Sequence, residues 1–285
     1  MSQKEHIKKI KESYKQMAVK WRTFTPPVRP SKAEIYFYEY KIRELIFGCK
    51  KRNLKALVLG ATPEFRDLLA QYKDEIQTTL IDNNEVSVGA MNLLMQKKNP
   101  EEKIVLGNWL KMPFPVHSFD LVFSDSAQDN IPFKVFDQFF EAVHKILKPT
   151  GYWFFGAVNL DRKDGINFAK YLHLYRKNPR YFRKFQNFVW RLFQLAKDNK
   201  FYDAQSRVFD FHKVDLAVQK LVQEGKLPQA ALKDLCLNVN YVQPIISQDE
   251  FKKILAKKFL VLAQMRDDSH PAMQIKWTAI LKPKK

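Results

Sequence analysis

The chain has 285 residues, 46% of them hydrophobic, and a formal net charge of +19 at pH 7. This length permits one large domain, or a domain with a cap, around a substantial core. Its apolar runs are far shorter than the roughly 20 residues of a membrane-spanning helix, and residues 1–15 lack the apolar centre of a signal peptide. Cys49 and Cys236 give neither a disulfide framework nor a metal-ligand spacing. We therefore expect a soluble, cytoplasmic protein.

The charge is unevenly distributed along the chain. Residues 56–159 contain 9 basic and 13 acidic residues, whereas residues 1–55 contain 15 basic and 5 acidic ones, and residues 160–258 contain 20 basic and 10 acidic ones. Basic flanks around a mildly acidic centre indicate an anionic partner or acceptor. Lysines distributed over a solvated surface explain the same pattern, so charge alone leaves both interpretations open.

The N-terminal part predicts a helical arm followed by an extended connector. Residues 2–20 have apolar side chains at helical spacing, which predicts a basic amphipathic helix that packs across the core. Three prolines then favour extended backbone. Ser31 and Glu34 have the spacing of a capping box and predict a helix that continues to about Phe47. Arg29, in the connector, is a candidate to bind the carboxylate of a ligand.

The central unit of the chain is a strand, a glycine turn, a helix and a second strand. Residues 56–59 are an apolar run that stops at Gly60, and Thr62 and Pro63 suit the N-cap and first position of a helix. The second strand, residues 78–81, ends at Asp82. Such a unit can hold an adenosine ribose, because glycine lets the ligand approach the backbone and the carboxylate accepts both hydroxyls. Any parallel α/β protein contains a similar unit, and the single glycine is less than the full dinucleotide-binding motif.

The following segments predict an α/β fold with a doubly wound, mostly parallel sheet. Further strands are predicted at residues 103–106, 119–124 and 152–158, and helices at residues 84–97 and 132–147. The ligand crevice of such a sheet lies at the carboxyl ends of its strands. Residues 164–257 break the alternation with a run of helical segments, which we interpret as a helical insertion beside the crevice. One predicted helix covers residues 181–196, and Ser247 and Glu250 have capping-box spacing at the start of the last one. Residues 259–266 and 273–281 predict an antiparallel C-terminal hairpin.

In this order and spacing the chain resembles the class I S-adenosylmethionine-dependent methyltransferases, especially the group that acts on small molecules. LVLGATPE resembles their first motif, LIDNN their second, and GNWLKMPFPVHSFDLVFSD their combined third and fourth. KILKPTGYWFFG resembles the helix end and fifth strand that follow. The resemblance implies a seven-stranded Rossmann-like sheet that the terminal hairpin completes. It divides the chain into an arm (1–53), a cofactor-binding core (54–160), a cap (161–257) and the hairpin (258–285).

The resemblance also implies S-adenosyl-L-methionine as the cofactor. The residues proposed to bind it are Gly60, Ala61, Thr62, Pro63, Asp82, Asn83, Gly107, Asn108, Trp109, Ser124, Asp125 and Arg29. The glycine turn would surround the methionyl part, and Asp82 would hold the ribose. Asn108 and Trp109 would border the adenine. Ser124 and Asp125 would face the sulfonium and the acceptor.

The expected activity is methyl transfer to a small-molecule acceptor enclosed under the cap. One alternative is methylation of RNA or another acidic macromolecule, because the flanks are basic and residues 181–191 mix aromatic with basic side chains. A second alternative is a non-catalytic binding protein that keeps the fold. The sequence nominates no catalytic base and no metal ligands, and it indicates no oligomeric state.

Overall fold

A computed structural model describes residues 21–50, 53–159 and 165–284, so the helix predicted over residues 2–20 lies outside the described part. Within these residues, ten strands form one large and one small sheet. In chain order they are β1 Leu54–Leu59, β2 Ile76–Asp82, β3 Lys103–Leu106, β4 Phe119–Asp125, β5 Leu147–Val158, β6 Tyr202–Asp203, β7 Val208–Asp210, β8 Val242–Pro244, β9 Phe259–Met265 and β10 Lys276–Pro283.

The large sheet has seven strands in the order β3-β2-β1-β4-β5-β10-β9. The first five strands of the chain pair in parallel, and β10 pairs antiparallel with both β5 and β9. The central strands are continuous apolar runs because helices cover both faces of the sheet; Leu57 and Val58, for example, are fully buried. The predicted fold class, with its antiparallel C-terminal hairpin, is confirmed.

Ten α-helices surround or cap this sheet. Within the described residues they are α1 Lys32–Arg43, α2 Pro63–Ala70, α3 Glu85–Asn92, α4 Phe136–Ile146, α5 Phe168–Lys177, α6 Pro179–Phe182, α7 Phe185–Gln194, α8 Phe211–Gln223, α9 Ala231–Leu235 and α10 Gln248–Leu255. None of the helices within residues 21–50, 53–159 and 165–284 combines the length and apolar character needed to cross a bilayer.

Two helix starts follow the predicted capping chemistry and one does not. Ser31 Oγ accepts the Glu34 N–H at 3.2 Å while Glu34 Oε2 accepts the Ser31 N–H at 2.7 Å, so the capping box of α1 is confirmed. The capping box at the start of α10 is confirmed in the same way. Thr62 precedes α2, but its side chain makes no capping hydrogen bond, so that prediction is wrong.

Helix α1 fixes the arm to one face of the sheet through Tyr38. The Tyr38 hydroxyl donates to the Phe155 carbonyl at 2.9 Å, and its ring packs edge-on against Phe123 and Phe154. Those two phenylalanines, on neighbouring strands, stack with ring centroids 4.3 Å apart. A buried aromatic cluster of this kind contributes both apolar area and directional ring contacts, so α1 is part of the sheet's core packing.

The segment between β5 and α10 has a hydrophobic cluster of its own. Its predicted helices are present, with two differences. The helix expected over residues 181–196 is divided into α6 and α7, and the segment also contains the small sheet β6-β7-β8. These strands have two or three residues each, too few for an alternating pattern to be visible in sequence. Strands β9 and β10 form the predicted hairpin, but β10 begins at Lys276, because residues 273–275, predicted as strand, belong to the 3₁₀ turn Pro271–Ile275.

Candidate active site

A cavity of about 190 Å³ lies at the carboxyl ends of β1, β2 and β4. The turn after β1, the tip of β2 and the loop after β3 form one end of it. The loop after β4 forms the other end, together with residues of the cap and of the connector before α1. A crevice at this edge is where doubly wound sheets bind their ligands. The two ends of the cavity are chemically different.

The turn after β1 exposes backbone to the cavity. Gly60 has a φ of +89°, a conformation that residues with a side chain rarely adopt, and its N–H donates to the Ile81 carbonyl at 2.9 Å. The Trp109 ring lies 3.6 Å from the position that a Cβ would occupy on Gly60. Glycine is therefore required by the backbone conformation, and it leaves the turn open between the strand and the indole.

Asp82 places a carboxylate at the tip of β2 and is 7% exposed. Its Oδ1 accepts the Asn84 N–H at 2.9 Å, and the N–H groups of Ala61 and Asn83 also bond to the carboxylate. Burial raises the pKa of Asp82 above its ordinary value, and these backbone hydrogen bonds oppose part of that rise. The bonds hold the carboxylate between the ends of β1 and β2, where its other lone pairs can accept from ligand hydroxyls.

The loop after β3 contributes an aromatic wall. Trp109 is fixed by a hydrogen bond from its Nε1 to the Ile81 carbonyl at 3.0 Å. Asn108 also lines the cavity, but its Oδ1 already accepts the N–H of Leu110 at 2.8 Å. The Asn108 side chain therefore shapes this loop, and only its remaining hydrogen-bonding capacity is available to a ligand.

Asp125, at the end of β4, belongs to a buried cluster with one cation and two carboxylates. Lys276 Nζ lies 2.8 Å from Asp125 Oδ1 and 3.0 Å from Glu34 Oε1. Glu34 also accepts from the Thr278 hydroxyl at 2.6 Å. Burial, together with the second carboxylate, raises the pKa of Asp125 to about 7, because one ammonium cannot neutralise both acids. Lys276 stays protonated, since both carboxylates raise its pKa.

We expect the stability conferred by Asp125 to increase as the solution is acidified from about pH 8 to about pH 6. Its pKa is about 7 in the folded chain and 3.8 ordinarily, so the folded state binds the proton more tightly, and this contribution is lost as the pH rises through 7. Thermal melts of the wild type and Asp125→Asn across this range measure the difference, and the comparison separates Asp125 from His270, whose lowered pKa acts in the opposite direction. A difference that is constant with pH would contradict this assignment.

Four of the twelve predicted site residues do not line the cavity. The Ser124 side chain is fully buried and accepts from Trp153 Nε1 at 2.9 Å on the other face of β4. Gly107 packs against Ile81. Pro63 and Arg29 lie in a separate groove beside α2. The remaining eight, Gly60, Ala61, Thr62, Asp82, Asn83, Asn108, Trp109 and Asp125, line the cavity together.

Arg29 pairs with a carboxylate of the protein itself instead of reaching into the cavity. Its Nε donates to Glu64 Oε1 at 2.5 Å, and its Nη1 donates to the Trp21 carbonyl at 3.2 Å. Trp21 does line the cavity. Arg29 thus holds the connector against the start of α2 and positions Trp21 as part of the cavity wall.

The sequence reasoning missed most of the second end of the cavity. Asp129, Tyr241, Gln243 and Phe193 line it, and all but Asp129 come from the cap. Gln243 Nε2 donates to Asp129 Oδ2 at 2.9 Å. The sequence signal for this end was the pair Asp125 and Asp129, which directly follow the strand predicted at residues 119–124. Cap residues approach the cavity through long-range packing, which leaves no local pattern.

Residues 59–155 match the family model described as a methyltransferase domain. The match begins at the last residue of β1 and ends within β5, and so includes the glycine turn, Asp82, Trp109 and Asp125. Residues 59–155 are thus identified as a methyltransferase domain, and the sheet has the Rossmann-like fold of the class I S-adenosylmethionine-dependent methyltransferases. No curated protein matches the sequence.

Solved structures with the same fold as this methyltransferase domain are distant in sequence. A Burkholderia thailandensis 1,6-didemethyltoxoflavin-N1-methyltransferase, with bound 1,6-didemethyltoxoflavin and S-adenosylhomocysteine, is 11% identical with a TM-score of 0.54 and covers 100% of this chain and 92% of its own. The CcbJ methyltransferase of Streptomyces caelestis is 10% identical with a TM-score of 0.54, covering 96% and 98%.

A Rhodobacter sphaeroides protein described as a candidate Zn-dependent alcohol dehydrogenase has a TM-score of 0.60 at 13% identity, covering 96% of this chain and 99% of its own. Similarity at this level of identity shows the shared fold alone. No group of three or more histidine, cysteine, aspartate or glutamate side chains suited to a metal ion occurs among residues 21–50, 53–159 and 165–284.

The first end of the cavity fits S-adenosylmethionine, the cofactor of this family. It combines backbone left open at Gly60, a buried carboxylate at the tip of β2, and an indole wall. The carboxylate and the wall match the two halves of an adenosine, a diol and a flat apolar base. The donor set at this end supplies hydrogen bonds and apolar contact.

Proposed function

We propose that this methyltransferase transfers a methyl group from S-adenosylmethionine to a small-molecule acceptor enclosed between the core, the cap and the connector before α1. One observation carries the proposal: the cavity that contains Asp82 and Trp109 continues to Phe193 and Tyr241 of the cap. The cofactor end and the cap end therefore belong to one continuous cavity, in which a cofactor and an acceptor can meet as methyl transfer requires.

The residues of the cavity divide into the tasks that this reaction needs. The turn at Gly60 surrounds the methionyl part, Asp82 holds the ribose hydroxyls, and Trp109 covers the adenine. When bound, the sulfonium supplies an already activated methyl group. The chain then has to hold the acceptor atom in line with it and exclude water, and the aromatic walls at the cap end support both tasks.

The connector before α1 supports enclosure of the acceptor. Trp21 and Val28 line the cavity, and Arg29 fastens this segment to Glu64 at the start of α2. The Arg29 guanidinium also lies over the Trp21 ring, with its central carbon 5.9 Å from the ring centroid. A bulky macromolecular acceptor would have to displace this wall, whereas a small molecule fits behind it.

The aromatic residues that motivated an RNA acceptor pack inside the cap. Phe182 and Trp190 are buried, and Phe185 stacks on Phe24 with ring centroids 5.0 Å apart. The Tyr181 ring is covered by Arg191, 5.5 Å from its centroid. These rings do not form an exposed surface on which bases could stack, so only the excess of basic residues still supports RNA as the acceptor.

The test is cofactor binding by the intact protein and by Asp82→Ala. We expect calorimetry with S-adenosylhomocysteine to detect binding by the wild type and a loss of about 1–3 kcal/mol in the variant, the usual result of leaving buried polar partners unsatisfied. Asp74→Ala is a matched control, because Asp74 precedes β2 and is exposed. It should bind like the wild type.

Three outcomes distinguish the alternatives. No binding by the wild type favours the non-catalytic protein. Unchanged affinity in a folded Asp82→Ala variant shows that the ribose assignment is wrong. Steeply salt-dependent binding of bulk RNA, together with methyl transfer to it, favours the macromolecular acceptor.

A further inference from the structure

The acceptor end of the cavity contains a carboxylate that has no cation beside it. Asp129 lines this end and is 2% exposed. Its Oδ1 accepts from Gln128 Nε2 at 3.1 Å and its Oδ2 from Gln243 Nε2 at 2.9 Å. The two glutamines donate through neutral amides, and a neutral Ser126 side chain also hydrogen-bonds to this carboxylate. Within the described part of the chain, no salt bridge includes Asp129.

Lys276, the lysine whose charge acts on Asp129, is already shared by other acids. Lys276 lies within 3.0 Å of both Asp125 and Glu34, so one ammonium serves two carboxylates before Asp129 is considered. Burial raises the pKa of Asp129 well above its ordinary value, and the charge of Asp125 adds to the rise. A buried carboxylate in this setting gains free energy from any positive charge or N–H donor that a ligand brings.

The walls around Asp129 are aromatic. Phe193 and Tyr241 of the cap line the same cavity as Asp129, and the Tyr241 hydroxyl donates to the Asp129 carbonyl at 3.2 Å. Aromatic faces attract cations, and the attraction is stronger in a desolvated site. The same surroundings disfavour a carboxylic acid or phosphate acceptor, which would bring a second negative charge next to a buried one.

We propose that the methyl acceptor is an amine attached to a flat or apolar body, and that Asp129 is the residue that selects it. This inference rests on the proposed function and adds the class of acceptor to it. An alkylamine enters as its ammonium ion and first releases one proton to solvent. The neutral nitrogen then forms its bond to the methyl carbon as the carbon–sulfur bond breaks with its electron pair left on sulfur. The positive charge thereby moves to the nitrogen, where Asp129 stabilises it, and the product leaves as the methylated ammonium ion.

The test compares matched molecules that differ only in the head group. Tryptamine, tryptophol and indolepropionic acid share one ring, and phenethylamine, phenethyl alcohol and hydrocinnamic acid share another. Each is titrated into wild-type protein saturated with S-adenosylhomocysteine, with binding followed by calorimetry and thermal shift. We expect the amine of each set to bind at least about tenfold more tightly than the alcohol and the acid.

Asp129→Asn keeps the shape of the side chain and removes its charge, so it should abolish the preference for amines while leaving S-adenosylhomocysteine affinity unchanged. Asp137→Asn, on the exposed side of α4, is the matched control. Gln243→Lys is a second variant that keeps Asp129 and gives it a cation from the protein, and it should also abolish the preference. Gln243→Lys provides the test if Asp129→Asn does not fold.

Equal or tighter binding of alcohols or acids, no binding of any amine, or an amine preference that survives in both variants would each overturn the assignment of Asp129. Failure of the wild type to bind S-adenosylhomocysteine would instead overturn the proposed function. The two failures are therefore distinguishable in the same titrations.

Discussion

Replacing Lys276 with alanine is expected to lower the free energy of unfolding by about 3–5 kcal/mol, the usual cost of breaking a buried ion pair from one side. The Lys276 side chain is 1% exposed and contacts Glu34 and Asp125. Removing it leaves two carboxylates, 2% and 4% exposed, without their cation. Chemical denaturation monitored by tryptophan fluorescence measures the change.

Two companion variants show whether charge or packing causes the loss. Lys253→Ala, on the exposed face of α10, removes a lysine from the surface and should change stability by less than about 0.5 kcal/mol. In the triple variant Lys276→Met, Glu34→Gln, Asp125→Asn, the cluster carries no charge, and much of the lost stability should return. If Lys276→Ala alone is as stable as the wild type, the cluster is not an ion pair in solution.

Arg66→Ala is expected to have an effect of similar size, about 3–5 kcal/mol, at the opposite side of the domain. Arg66 on α2 holds Glu102, in the loop before β3, with two hydrogen bonds from Nε at 2.9 and 3.1 Å and a further one from Nη2. The two side chains are 2% and 6% exposed. Removing the guanidinium leaves the Glu102 carboxylate buried and unpaired.

A double-mutant cycle separates the pair from its parts. Arg66→Met with Glu102→Leu replaces both charges with apolar groups, and we expect this protein to be much more stable than Arg66→Ala, because no buried charge remains. Equilibrium denaturation of Arg66→Met, Glu102→Leu and the double variant gives the coupling energy. Additive effects of the two single substitutions would mean that the pair contributes no coupling to the fold.

Elements with strong local patterns were predictable from sequence. The apolar strands β1 and β4 are recognisable because helices cover both of their faces, and the capping boxes at Ser31 and Ser247 mark helix starts through side-chain chemistry that is local. The short strands β6, β7 and β8 were not predictable, because a strand of two or three residues shows no periodicity. They form only when the cap folds and brings distant segments together.

The same difference between local patterns and long-range contacts explains which cavity residues were predictable. Gly60 and Asp82 lie at the ends of adjacent parallel strands, so topology alone brings them together once the strands are recognised. Ser124 was wrongly assigned because alternation along β4 turns its side chain toward Trp153, and burial of both faces hides which face meets the cavity. Tyr241 and Gln243 reach the cavity from a segment more than a hundred residues after β4, a distance over which no sequence pattern specifies contact.

The Lys276 cluster joins α1, the end of β4 and the last strand of the sheet, three segments that leave the ribosome at very different times. The turn at Gly60 and the tip of β2 can assemble while the nascent chain is still short. The acceptor side is complete only after β10 has inserted beside β5. Until then Asp125 and Glu34 lack their cation, so the last strand of the sheet supplies the charge that balances two acids encoded far earlier in the chain.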